Sequence, residues 1–391
     1  MRLIFSLLLF TFLQFVWSQN EWTTNDISYK DALIQAQKEN KPIFTMLYAT
    51  WCPHCNNMKN SVFKDSKVLD FLNNNYICIW KDIEKEEGIA IKEKYNTSGL
   101  PVFLFIDSNE TLLYALKGES KTEAFIQEAQ NALNPKLQLP FLENQFLSDK
   151  ANSNKCLEYL MTLRKGFDRK TLSKPTHIYL ETQSDKQLVS EINWRIISNG
   201  VTDIQSREFQ YVLKNKDDFE KATSPLRVER KIINIVSELL EPHTLTLDSV
   251  SYFKDRAIAK TIHLQKTDSL IFSYDLTLAE RTQNWGFYKK SSLEGTEKYV
   301  WNTPNQLKEI AQVYLKEIKD TNALKKAIDW TKRSLELNNT ADGNLLAARL
   351  YWKIKDKKSA LEYANNAKAI ITEMGWNSKD VDALLKELNM K

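Results

Sequence analysis

The sequence predicts an α/β domain, a mixed sheet flanked by helices, followed by an all-α region that ends in repeat-like helices. Three observations carry this expectation. Between residues 27 and 134, apolar runs of strand length alternate with amphipathic segments at helical spacing, and the last two runs form a hairpin. Beyond Pro140 helical periodicity takes over and glycine becomes sparse. From about residue 305 small residues recur at a fixed interval: Ala327 and Ala360 lie 33 residues apart, as do Ser334 and Ala367.

In chain order, ISYKDALIQAQKENK (27–41) places Ile27, Ala32, Leu33 and Ala36 near helical spacing and closes at Asn40 and Lys41, before Pro42. PIFTMLYA (42–49) is short, apolar and of strand length. From Cys52 one long helix is expected, with Met58, Val62, Val68, Leu69 and Leu72 on one side and an end at Asn73–Asn75. YICIW (76–80) is a second buried strand, and IAIKEKY a short helix after the acidic KDIEKEEG. The turn NTSG delivers the chain to Pro101. LPVFLFID and TLLYALKG flank Ser108, Asn109 and Glu110 as a hairpin, and KTEAFIQEAQNAL is the last helix before Pro135. Strands that alternate with helices and finish in an antiparallel pair imply helices on both sheet faces. Over 141–300, EINWRIISNGV, REFQYVLKN and VERKIINIVSELLE are amphipathic helices. Over 305–391, AIDWTKRSLEL and ALEYANNAKAI hold the same place in two helical hairpins. This part resembles tetratricopeptide repeats, whose small residues let helices pack closely within a unit of about 34 residues.

The first eighteen residues, MRLIFSLLLFTFLQFVWS, combine an early positive charge at Arg2, a nearly unbroken apolar stretch, and Val16 and Ser18 at its end. That pattern predicts a signal peptide over 1–18 with cleavage after Ser18, in preference to an uncleaved anchor, for which the span is short. The mature chain is then exported, to a periplasm or the extracellular space. No later segment approaches the ~20 apolar residues needed to cross a bilayer, so no stable membrane span is expected after cleavage. A net charge of +4, from 54 basic and 50 acidic residues, is too small and too dispersed to point to nucleic acid. Four cysteines are too few for a disulfide scaffold at this length, so each asks for its own explanation in a disulfide-permissive compartment.

Two of the four sit in ATWCPHCNNMK (49–59). Cys52 and Cys55 are at positions i and i+3, which the start of a helix brings close enough for a disulfide. A thiolate capping that helix faces unsatisfied N–H groups and the positive end of the helix dipole, which lowers its pKa. Cys55, one turn in, is shielded and suited to attack a mixed disulfide held on Cys52. Pro53 fits the first helical turn without losing a hydrogen bond. His54 can add a hydrogen bond or a positive charge near the sulfur, which favours the reduced form and makes the disulfide more oxidising. Trp51 shapes an apolar rim beside the first cysteine.

Strand, WCPHC, helix, and a later Gly-Leu-Pro before a strand together resemble the thioredoxin fold, over a domain spanning 19–136. WCPHCNNMKNSVFKD, YICIWKDIE and KYNTSGLPVFLFID resemble most the exported thioredoxin-like group that includes the C-terminal domain of the transmembrane reductase DsbD. The resemblance implies that Cys52 attacks, Cys55 resolves, and Pro101 is a cis-proline facing them, with Leu100 offering backbone groups to a bound substrate strand. It implies a redox disulfide between Cys52 and Cys55 and no cofactor. The positions at which thioredoxin carries a buried aspartate and a lysine are here Met46 and Trp80, so another group or water must handle the Cys55 proton. Pro-His between the cysteines matches the oxidant DsbA, and this leaves the direction of electron flow open.

A zinc site is not expected, because Cys78, Cys156, His177, His243 and His263 form no second CxxC or HxxxH. A purely structural disulfide is a poor fit, since so small a ring removes little unfolded-state entropy. Cys78 and Cys156 are expected as buried thiols, and the sequence leaves open whether they pair. Two functional readings follow. One is an exported thiol-disulfide oxidoreductase with protein thiol substrates, a redox partner that recycles the pair, and a helical region that recruits clients. The other is a helical-repeat interaction protein whose thioredoxin domain serves as a redox-sensitive clamp or scaffold.

Overall fold

In the computed structural model, which describes residues 27–390, the first element is α1 (Tyr29–Glu39), capped by Ser28 and closed by Asn40 in the left-handed region. It leads into β1 (Ile43–Tyr48), α2 (Pro53–Asn60), a 3-10 turn (Val62–Lys64), α3 (Ser66–Asn75), β2 (Ile77–Asp82) and α4 (Glu86–Lys94). β3 (Val102–Ile106), β4 (Leu112–Lys117) and α5 (Thr122–Leu133) complete this part. The four strands form one mixed sheet in the order β2-β1-β3-β4. β1 runs parallel to β2 and antiparallel to β3, and β3 and β4 are the expected hairpin. Its turn is fixed by the Asp107 carboxylate, which accepts from the N–H groups of Asn109 and Thr111, while Glu110 takes a positive φ.

The strands read as unbroken apolar runs because both sheet faces are covered. Ile43, Leu47, Ile79, Val102 and Leu104 are buried on one face, where α1 and α4 supply Ala32, Ala36 and Ile91. Phe44, Met46, Cys78, Phe103 and Phe105 occupy the other, in one cluster with Met58, Val68, Leu72, Phe125 and Ala129 from α2, α3 and α5. At its centre the Phe44 ring lies 5.4 to 6.4 Å from those of Phe63, Tyr76, Phe103, Phe105 and Phe125.

The single long helix expected from Cys52 to Asn75 is two helices. Ser61 leaves helical geometry with φ −118° and ψ −78°, and its hydroxyl donates back to the Asn57 carbonyl. The 3-10 turn swings Val62 and Phe63 into the aromatic cluster, and Asp65 restarts the helix by accepting from the Lys67 N–H. Val62 and Phe63 are as apolar as a helix face would require, and this is why periodicity alone joined the two segments.

Beyond α5 the described chain is mostly helical. The chain divides into two compact units, one running through Thr202 with Lys221–Thr223 added and the other comprising Asp203–Glu220 and the residues from Ser224 onward. The first unit therefore extends past Pro140 to include α6 (Leu139–Leu147), α7 (Ser153–Gly166), α8 (Arg169–Leu180), α9 (Asp185–Leu188) and α10 (Glu191–Gly200). α6 and α7 pack on β4 and cover the open edge of the sheet. The contact is close enough that a Cβ on Gly166 would overlap Ala115. Beside it the Lys165 ammonium donates to the Tyr114 hydroxyl at 2.6 Å and to Glu128 at 2.8 Å.

The second unit holds α11 (Arg207–Lys214), α12 (Lys216–Ala222, shared with the first unit at its end), α13 (Pro225–Thr246), α14 (Ser249–Lys260), α15 (Gln265–Arg281) and α16 (Trp285–Tyr299). It continues with α17 (Pro304–Glu317), α18 (Thr321–Leu337), α19 (Ala341–Lys353), α20 (Lys357–Glu373) and α21 (Lys379–Met390). α17 packs on α18 and α19 on α20. Ala327, Ser334, Ala360 and Ala367, the residues with 33-residue spacing, are all buried. The proposed signal peptide, residues 1–18, lies outside the described residues.

The aromatic cluster makes the first domain's stability depend on Phe44. Phe44→Ala should destabilise it by about 3–5 kcal/mol, the cost of truncating a fully buried ring, read as a lowered midpoint in urea unfolding.

Candidate redox site

The chain reaches the site through β1. The Cys52 N–H donates to the Ala49 carbonyl at 3.2 Å, which closes a tight turn and sets Cys52 at the N-cap of α2. Pro53 occupies the first turn, where its missing N–H is not needed. Cys52 and Cys55 form a disulfide, with their Cα atoms 5.3 Å apart, and the Cys55 N–H donates to the Cys52 sulfur at 3.2 Å. Both cysteines are buried in the core cluster, Cys55 fully and Cys52 with 3% exposure. In the reduced state the same N–H and the helix N-terminus are placed to stabilise a Cys52 thiolate.

Trp51 is 65% exposed, and its indole N–H donates to Glu84 at 2.9 Å. The Leu100–Pro101 peptide is cis. Pro101 is buried and Leu100 packs partly against the core cluster that contains both cysteines. The Pro101 carbonyl accepts from the Gly118 N–H at 2.8 Å, and the next residue, Glu119, reaches α2. There one carboxylate oxygen meets His54 Nδ1 at 2.6 Å and the other accepts from the Asn57 amide at 3.0 Å. These contacts, Asn57 first and His54 second, hold the exposed Glu119 carboxyl below its usual range. His54 was expected to address the sulfur; its Nδ1 instead ties the motif to the segment after β4. The structure thus gathers Cys52, Pro53, His54 and Cys55 on α2, with Pro101 linked to them through Gly118 and Glu119.

Met46 and Trp80 are register partners on β1 and β2, on the face that packs against α2. Met46 is fully buried. Sequence reasoning did not single out Lys59. It lies one turn beyond Cys55 on α2, and its Nζ sits 3.0 Å from the Tyr48 ring centroid and 4.9 Å from that of Trp80. Burial pushes this amine down to about 8, against the opposing pull of the Asp82 carboxylate. Because the folded value lies below the ordinary 10.5, stability should rise as pH climbs between the two. The available signals were the i,i+4 spacing from Cys55 to Lys59 and the alternation that puts Trp80 and Asp82 on one face.

Cys78 and Cys156 are free, buried thiols and do not pair with each other. Burial pushes each of them up to about 12. Among the described residues no group of three or more His, Cys, Asp or Glu could hold a metal ion, and no helix is long and apolar enough to cross a membrane.

Comparison with known proteins then bears on this site. The thioredoxin-like domain family matches residues 29–133. Residues 29–133 are a thioredoxin-like domain. The thiol:disulfide interchange protein DsbD of Yersinia pestis is 33% identical over 102 residues, which cover 25% of this chain and 17% of that protein. The chain therefore spans only about a sixth of the curated relatives it matches. A solution structure of a candidate disulphide-isomerase from Bacteroides thetaiotaomicron is 31% identical, covering 28% of this chain and 92% of that one, with a TM-score of 0.27. The oxidised C-terminal domain of DsbD from Neisseria meningitidis is 24% identical, covering 26% and 91%, with a TM-score of 0.24. At family level, thiol-disulfide oxidoreductase relatives and the paired cysteines support redox chemistry in this domain.

The thiols give a direct check on this geometry. With a pKa near 12, Cys78 and Cys156 should be only about one part in ten thousand thiolate at pH 8. Both should escape iodoacetamide in the folded, reduced protein and react once guanidinium unfolds it, as read by peptide mass spectrometry. Labelling of either in the folded state would contradict the packing described here.

Proposed function

We propose that the chain is an exported thiol-disulfide oxidoreductase acting on protein cysteines. The observation that carries the reading is the placement of Cys52 at the N-cap of α2, with its sulfur accepting from Cys55 N–H, inside a thioredoxin-like domain. Cys52 attacks a client disulfide, Cys55 resolves the mixed disulfide, and Leu100 and Pro101 bind the client strand beside Trp51. His54 acts through Glu119, which couples the motif to the Pro101 side of the site. Reduction or broad exchange is the favoured direction, because the surrounding sequence resembles the reductase group more than the oxidant. A separate partner recycles the pair.

The reading of residues 1–18 as a signal peptide supports export to a periplasm or the extracellular space. The helical domain at 141–300 and the tetratricopeptide-like helices at 305–391 recruit protein partners in this account.

Two substitutions test the enzyme reading. Cys52→Ser should abolish both insulin reduction and oxidation of a reduced test protein. Cys55→Ser should instead accumulate mixed disulfides that non-reducing electrophoresis resolves. A wild-type protein that exchanges disulfides with neither test protein would leave the scaffold reading standing in its place.

A further inference from the structure

The exchange reaction leaves one requirement without a residue. Cys55 is fully buried, and it must lose a proton before it can attack Cys52. Burial disfavours a thiolate, so a nearby proton acceptor decides how fast the step runs. Met46 and Trp80, on the strands beneath α2, offer no side chain that titrates near neutral pH.

Lys59 meets the geometric need. It follows Cys55 by four residues in the same helix, hence on the same face and roughly 6 Å farther along the axis. Its half-buried side chain carries the amine over the Tyr48 and Trp80 rings. We propose that Lys59 is the proton acceptor for Cys55 in the resolving step. The inference rests on the exchange reaction proposed above.

Opposing effects act on the amine. The ring faces and the Asp82 carboxylate favour the ammonium form. Loss of water disfavours it and wins, which places the amine at about 8. About a tenth is then neutral at pH 7 and able to accept a proton. Around it, β1 contributes the Tyr48 ring, and β2 contributes the Trp80 ring and the Asp82 carboxylate.

In the step itself a client sulfur is bonded to Cys52. The Cys55 thiol gives its proton to the neutral Lys59 amine, directly or through one water. The Cys55 thiolate attacks the Cys52 sulfur, the Cys52–Cys55 bond forms, and the Cys52–client bond breaks. The client sulfur leaves with the electron pair and takes a proton from the Lys59 ammonium or solvent. Two electrons have passed from the cysteine pair to the client, and no further oxidant or reductant is needed.

The test uses the full chain, reduced and mixed with Ellman's reagent in a stopped-flow instrument. The first thionitrobenzoate released reports attack by Cys52, and the second reports resolution by Cys55. The wild-type second phase should accelerate through an inflection near 8, the value at which Lys59 loses its proton. Lys59→Met should slow that phase about a hundredfold at neutral pH and remove the inflection, with the first phase retained. Lys59→Arg keeps the charge and the ring contacts but cannot give up its proton, so it should be as slow as the methionine variant. Asp82→Asn should move the inflection to lower pH, and it carries the test if the Lys59 variants fail to fold. A Lys59→Arg protein with the wild-type rate and profile, or an Asp82→Asn profile that does not move, overturns the proposal. An absent first phase in the wild type overturns the exchange reading and this inference together, whereas a normal first phase with unchanged resolution overturns this inference alone.

Discussion

The hydrogen bond from the Cys55 N–H to the Cys52 sulfur, at the first turn of α2, is the interaction on which the rest of the site depends. It exists because β1 ends in a tight turn at Ala49 and because Pro53 starts the helix immediately afterwards. The same geometry that stabilises a negative charge on Cys52 seats both cysteines in a cluster with Phe44, Met46, Met58 and Phe103. Within it the N-cap position gives Cys52 a trace of exposure, and Cys55, one turn in, has none. The sheet supports this from below, and the segment after β4 supports it from the side through Glu119.

The floor of the site differs from what the thioredoxin resemblance implies. Where an acid and an amine are expected on neighbouring strands, Met46 and Trp80 face each other across the β1–β2 pair. The titratable groups have moved outward, to Lys59 on the helix and Asp82 at the end of β2. An apolar floor raises the energy of any charge formed beneath Cys55, and the displaced amine is itself held below its normal pKa by the same lack of water. Glu84 and Glu119 add hydrogen-bonded carboxylates at the rim of the site.

Much of this was legible in the sequence, for identifiable reasons. PIFTMLYA and LPVFLFID read as buried strands because helices cover both sheet faces, so no polar alternation interrupts them. WCPHC read as a redox pair because i,i+3 spacing at a helix start constrains geometry locally. The break at Ser61 was not legible, because Val62 and Phe63 satisfy a helical apolar pattern while the capping that ends one helix and starts the next is carried by Ser61 and Asp65. Glu119 and Asp82 were missed for a different reason. Glu119 stands 65 residues from His54, and Asp82 joins Lys59 only through the pairing of β1 with β2. The free state of Cys78 and Cys156 likewise follows from three-dimensional placement, which no spacing rule supplies.

The central claim is that Cys52 and Cys55 are a working redox couple and not a staple. Its most direct test is the equilibrium between the folded protein and glutathione buffers of graded potential, followed by the tryptophan fluorescence of the folded chain or by thiol trapping. The account predicts one two-electron transition between folded states, with a midpoint between about −270 and about −120 mV, the span of known exchange catalysts. A midpoint below about −300 mV, where structural disulfides lie, or unfolding on reduction, would contradict it.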